Sequence, residues 1–200
     1  MAVDIGHYQA EPGVISASGR PEFEYNVDLA FLVRKELQAS GIKVRLIGER
    51  GDYEKLHYRT RDAKGADLFV SIHHDSVREY LLPKADGFSG FSLFVSRRNP
   101  HADKSLACAS AIGAEMRAAG FTPSRYHADR ILGENRPFAD EENGVHFYDN
   151  LAVAHTARMP SVLFEAGVIV NRAEDARMRD PEVRAQIAQA IARGVLVCLR

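Results

Sequence analysis

Five short apolar runs punctuate this chain: AVDI at 2–5, KVRLIG at 43–48, DLFVSIH at 67–73, GFSLFVS at 90–96 and SVLFEAG at 161–167. Several are apolar on successive residues instead of alternate ones. A strand of that kind has both faces covered, so these runs predict a sheet with helices packed on each side. Longer stretches of helical period separate them. One, from about 21 to 40, opens with Pro21 as first helical residue, sets Phe23, Val27, Ala30, Phe31 and Leu37 along one side, and stops at Gly41. Others cover about 101 to 119, before Gly120, and about 181 to 199, capped by Asp180 and opened by Pro181. The alternation predicts an α/β domain with a mostly parallel or mixed twisted sheet flanked by helices on both faces. At 200 residues, a single domain accounts for the whole chain.

Charge narrows the function. Lysine plus arginine number 26 against 27 aspartates and glutamates, so no net field draws the protein to nucleic acid or to an anionic membrane. No apolar run approaches the ~18 residues that a membrane span needs. The start, MAVDIGHYQ, lacks the basic and then apolar pattern of an export leader. Cys108 and Cys198 stand far apart, without a CxxC, among alanines and leucines; the expectation is two small buried apolar side chains. The stretch 121–149 is polar and rich in proline and glycine, and reads as a long surface excursion.

Open α/β sheets bind ligands at the carboxyl edge of their strands. There this sequence places a consistent polar set. AVDI is followed by Gly6-His7, DLFVSI by His73-His74-Asp75, and Glu165 interrupts the apolar run VLFEAG. A carboxylate inside a buried strand must be paired, hydrogen-bonded, neutral or near a metal. Hydrolytic zinc sites combine two histidines with one carboxylate and a nearby glutamate that takes a proton from water. His7 and His73 are the candidate imidazoles. Glu22 and Glu24 open the first helix about 200° apart around its axis, so only one of them faces the site. Successive strand residues point to opposite faces, so His73 and His74 do not share one metal. No HExxH is present.

Four segments, VDIGH (3–7), GRPEFEYNVDLA (19–30), ADLFVSIHHDS (66–76) and MPSVLFEAGVIVNRAED (159–175), resemble in order the signature blocks of the zinc-dependent N-acetylmuramoyl-L-alanine amidases, cell-wall hydrolases with an α/β fold. The resemblance runs over nearly the whole chain and is poorest at 121–149. It implies one Zn²⁺ per chain, at the carboxyl edge of the strands, with His7, Glu22 and His73 as metal ligands and Glu165 as the catalytic carboxylate. Glu22 is preferred to Glu24 because it precedes Ala30 by the family's spacing, with Asn26 between. His74 stands where the family usually has a small residue. Asn171 falls on the asparagine that normally follows the last strand.

Departures are visible too. YQAEPG replaces the usual glycine-rich turn after the first histidine, and the segment after His73 is too short for the blocking insertion of regulated members, which implies an open site. The resemblance also implies residues 1–200 as one catalytic domain with no separate wall-binding domain, peptidoglycan or a muropeptide as substrate, and action in the cell envelope, periplasm or outside the cell. The reaction implied is hydrolysis of the amide between N-acetylmuramic acid and L-alanine, releasing stem peptides. Competing readings are a zinc peptidase or deacylase on another amide, and a non-catalytic wall-binding module with the same fold. His74 reads as a bystander on the far side of the strand tip, and Asp4 as a group that orients a ligand or caps a turn. Arg136 and Arg158 are candidates to meet stem-peptide carboxylates, while His127, His146 and His155 receive no role. The sequence carries no signal for an oligomeric state.

Overall fold

The structure, a computed structural model, describes residues 1–53 and 55–200. Seven strands form one mixed sheet: β1 (Ala2–Ile5), β2 (Arg45–Ile47), β3 (Phe69–Asp75), β4 (Ser92–Val95), β5 (Phe138–Asp140), β6 (Val145–Phe147) and β7 (Ser161–Val168). Their spatial order is β2-β1-β3-β7-β4-β6-β5. The β2, β1, β3 and β7 strands run parallel, whereas β4 is antiparallel to β7 and β5 to β6.

The helices are α1 (Glu22–Ala39), α2 (Leu56–Asp62), α3 (Ala102–Ala118), α4 (Ala152–His155), α5 (Arg172–Arg179) and α6 (Pro181–Leu199). Val3, Ile5, Val70, Ile72, Leu93, Val162 and Phe164 fill one face of the sheet against α1, α3 and α6. Ala2, Ile47, Phe69, Phe94 and Leu163 fill the other, with Val153, Ala157 and Met159 around α4. The two-sided burial expected from the unbroken apolar runs is thus observed, and no described helix is long and apolar enough to cross a membrane.

The register positions the site. Ile5 pairs with Ile72 and His73 with Glu165 across parallel strands, so β1, β3 and β7 end at one edge. Asp180 caps α6 by accepting from Glu182 N–H, and Asn171 caps α5 by accepting from Ala173 and Glu174 N–H.

Three expectations need correction. The inner face of α1 carries Glu22, Tyr25, Asn26, Leu29, Ala30, Val33 and Leu37, while Phe23, Val27 and Phe31 lie at its half-buried margin. Apolarity alone misjudged this stripe because two of its members are polar and serve the site. The stretch 121–149 is not only a surface excursion, since it supplies β5 and β6 and buries Val145 and His146 completely. Three-residue strands are too short for alternation to register. Finally, Cys108 and Cys198 are buried as expected but joined in a disulfide that ties α3 to α6, with Cα atoms 4.9 Å apart.

Cross-linking positions 90 residues apart restricts the unfolded chain and contributes up to about 4–5 kcal/mol by loop-closure entropy. Thiol titration of the native protein is expected to find no free cysteine, and the double variant Cys108→Ala, Cys198→Ala to melt well below the wild type. Two titratable thiols in native protein, or an unchanged melting midpoint, would contradict the link.

Candidate active site

Beyond β1 the chain enters a turn that it must be made to hold. His7 adopts φ 64°, the left-handed region that costs a non-glycine residue about 1–3 kcal/mol. The fastening comes from Arg59 of α2, whose guanidinium is buried with a side-chain exposure of 2%. It pairs with Asp4 at 2.8 Å and donates to the carbonyls of Ile5, His7 and Tyr53. Asp4 also accepts from the Ser71 hydroxyl at 2.6 Å, so its role is to anchor the end of β1.

Glu22 enters from the first turn of α1. Its Oε2 lies 3.0 Å from His7 Nε2 and its Oε1 3.0 Å from His73 Nδ1. One ligand atom from each of the three residues falls within 4.8 Å of the others. The His7 and His73 rings meet edge to face at 4.9 Å. Two glycines leave room for this convergence: a Cβ at Gly6 would overlap the His73 ring, and one at Gly13 would overlap the Glu22 carboxylate. Gly13 belongs to the YQAEPG turn, which therefore keeps the one small residue that the carboxylate requires. Glu24 pairs with Arg20 at 2.9 Å and is half exposed, so of the two glutamates only Glu22 joins the cluster with His7 and His73. Burial pushes the Glu22 carboxyl up, but its bonds to His7 and His73 outweigh it and hold the group well below the usual carboxylate range.

Glu165 faces His73 across the β3–β7 ladder and Ser92 across the β7–β4 ladder. Its Oε2 is buried and has no hydrogen-bond partner among the described residues. Burial first, then the nearby Asp75 and Glu22, raise this carboxyl well above its ordinary value.

The segment 126–136, which leads into β5, packs against the tip of β3. His127, 3% exposed, spans Asp75 Oδ2 at 2.6 Å and Glu134 Oε2 at 2.9 Å. Arg136 pairs with the same Glu134 oxygen at 2.8 Å and lies 3.6 Å over the Tyr148 ring. Burial disfavours a charge on His127, but the two carboxylates prevail and push it up to about 9. Its reading as a loop histidine without a role is corrected: it clamps the 126–136 segment to the tip of β3. His146 is also buried, stacked between Phe94 and Phe138, with burial pushing it down to about 4. His155 stays half-buried, its Nδ1 on the Leu151 carbonyl. Arg158 stands before β7, at the amino edge, where it lines a cavity with His57, Arg61 and Lys64. Only Arg136 of the two candidate arginines therefore lies on the side of Glu165.

His74 points to the other face, under α1, with Nδ1 2.8 Å from Asn26 Oδ1. Asn26 and Arg59 escaped the sequence reading as parts of the site. An asparagine on a helix and an arginine in a charged stretch carry no signal of burial by themselves; the polar member of the buried α1 stripe was the available clue.

A His-Glu-His cluster, its glutamate buried and its histidines half-buried, lies at the carboxyl edge of a mixed sheet near a glutamate with an unpartnered oxygen, a donor set that could hold a metal ion. A family model described as N-acetylmuramoyl-L-alanine amidase matches residues 1–197, and the chain belongs to this family of amide hydrolases. It is 27% identical over 213 residues to the amidase AmiC of Neisseria meningitidis, covering 98% of this chain and 51% of that protein. It thus spans about half the length of that relative. With AmiA of Salmonella typhimurium it shares 28% identity over 219 residues, 98% of this chain and 74% of the relative. The fold is that of the amidase Ami1 from Mycobacterium smegmatis, with a TM-score of 0.81, 23% identity and coverage of 99% and 95% of the two chains.

The clamp has a pH signature. His127 rises from its ordinary 6.5 to about 9 in the fold. A raised value means stability that is fully present below the unfolded pKa of 6.5 and is lost as pH climbs through 9, roughly 3 kcal/mol in all. Chemical denaturation between pH 6 and 10 is expected to give a decline that His127→Gln removes. A decline of equal size in the variant would assign it to other groups.

Proposed function

We propose that the chain hydrolyses the amide bond between N-acetylmuramic acid and L-alanine in peptidoglycan, with one zinc ion per chain. The observation that carries this reading is the convergence of His7, Glu22 and His73 beside the unpartnered Oε2 of Glu165. Two imidazole nitrogens and one carboxylate oxygen are a donor set that suits zinc, and a buried carboxylate oxygen with no protein partner is suited to face a cation and its water. His7, Glu22 and His73 would hold the ion. When bound, it supplies a Lewis acid for the amide carbonyl and lowers the pKa of water to about 7.

Everything else in the reaction falls to the chain's own groups. Glu165 Oε2 accepts the proton of the attacking water as its oxygen adds to the lactyl carbonyl carbon. The same carboxyl returns that proton to the L-alanine nitrogen as the carbon–nitrogen bond breaks, leaving a lactyl carboxylic acid and an amine, between which the second water proton then passes to give carboxylate and ammonium. Burial, with Asp75 and Glu22 nearby, raises this carboxyl above its ordinary value, which makes its ionised form a better base than an exposed glutamate. His127, held by Asp75 and Glu134, keeps the 126–136 segment against the site. Arg136, stacked on Tyr148, offers a cation to stem-peptide carboxylates. The Cys108–Cys198 disulfide supports an oxidising compartment, in line with action in the envelope or outside the cell.

Digestion of purified peptidoglycan with mass analysis of the soluble products is expected to release stem peptides beginning with L-alanine. Intact glycan-peptide linkages would direct attention to another amide. Glu165→Gln is expected to keep about one zinc per chain and to lose roughly 10²- to 10⁴-fold in rate. His73→Ala should lose metal and activity together. Undiminished turnover by Glu165→Gln would remove that residue from the mechanism.

A further inference from the structure

The three segments that bear the candidate ligands are joined by one side chain. Asn26 is wholly buried on the inner face of α1, one turn after Glu22. Its Nδ2 donates to Glu22 Oε1 at 3.1 Å and to the Gly6 carbonyl, which precedes His7, at 3.2 Å. Its Oδ1 lies 2.8 Å from Nδ1 of His74, the neighbour of His73 on β3. One amide thus spans α1, the end of β1 and the tip of β3.

The chemistry of these partners leaves one arrangement. A carboxylate and a carbonyl both require a donor, so the amide nitrogen must face Glu22 and Gly6. The amide oxygen then faces His74, and His74 must carry its hydrogen on Nδ1. That tautomer leaves Nε2 a bare acceptor, which matches the finding that Nε2 is buried without a partner among the described residues. Burial keeps the ring neutral, pushing His74 down to about 3. The Tyr25 ring packs on it, with centroids 5.3 Å apart, and the Tyr25 hydroxyl is itself fastened to Asp175 and Ser16. The His74 backbone N–H adds a contact to Glu22 Oε1 at 3.3 Å.

We propose that Asn26 and His74 are positioning residues for the metal centre: His74 locks the Asn26 amide, and the amide holds Glu22 and the Gly6–His7 turn at the spacing that binds the ion. This rests on the metal reading above. His74 is then no bystander, although strand geometry keeps it off the metal. Where an imidazole occupies this position, the asparagine has a neutral donor that cannot rotate away, whereas a small residue would leave Oδ1 without one.

Zinc affinity of the purified metal-free protein, measured by competition with a chromophoric chelator, tests the pair. Asn26→Leu and His74→Phe, both similar in shape to the native side chains but unable to make these hydrogen bonds, are expected to weaken zinc about 10- to 100-fold with circular dichroism unchanged. His74→Gln, whose amide N–H can donate to Asn26, should bind zinc several-fold more tightly than His74→Phe. If His74→Phe does not fold, Asn26→Leu reads the same link. A role in stability alone would lower the melting temperature and leave zinc affinity at the wild-type value, and that result overturns the proposal. The Asn26 side-chain amide resonances of metal-free protein give a second readout. His74→Phe should shift them toward those of a free amide, and unchanged resonances overturn the inference whatever the metal result. A wild type that binds no zinc but loses its shifted Asn26 amide in His74→Phe would defeat the metal reading while leaving the Asn26–His74 link in place.

Discussion

Much of this structure is arranged around a single buried charge. Glu22 has a side-chain exposure of 4%, and an isolated carboxylate at such a depth would cost several kcal/mol. It is supported by the two imidazoles, the Asn26 amide, the Val14 and His74 backbone N–H groups, and its place in the first turn of α1, where the helix dipole favours a negative group. Those partners come from β1, α1, β3 and the 8–21 segment, so the carboxylate can be buried only when all four are assembled. The site and this corner of the fold form together.

Parallel pairing makes that assembly possible. With β1, β3 and β7 in register, a residue one or two positions beyond an apolar run arrives at the same edge as its counterparts. This is why His7, His73 and Glu165 could be read from sequence: each is a polar interruption of an apolar strand or the first polar residue after one. Both-face burial was legible for the same reason. The Cys108–Cys198 link was not, because two cysteines on separate helices carry no indication of their neighbours until α3 and α6 are packed. Neither was the contribution of 121–149. Its polar residues resemble solvated loop, and only the proximity of Asp75 to His127 turns an ordinary loop histidine into a buried cation. Asn26 illustrates a further limit. Its place on the inner stripe of α1 follows from helical spacing with Tyr25, Leu29 and Val33, yet its importance depends on a carbonyl and an imidazole from other strands.

The two sides of the β3 tip illustrate what alternation can and cannot fix. His73 and His74 point to opposite faces, as any strand requires, yet the faces are not equivalent. One opens to the site, where His73 is partly exposed and meets Glu22. The other is closed by α1, where His74 has no solvent and must remain neutral. An imidazole therefore meets a carboxylate on one side and the Asn26 amide oxygen on the other. Sequence alone could separate the faces but not say what covers them.

The wall beyond Glu165 follows a different electrostatic logic. His127 and Arg136 are its cations, and Asp75 and Glu134 its anions, so two positive groups meet two negative ones. Glu165 is left over. Arg136 favours its ionisation from a distance, but burial first and then Asp75 and Glu22 outweigh it. Had Arg136 paired with Glu165 instead of Glu134, that carboxyl would be a permanently charged member of an ion pair and a weak base. Pairing among its neighbours therefore leaves the Glu165 Oε2 without a partner among the described residues, and the segment least legible in the sequence is the one that sets this condition.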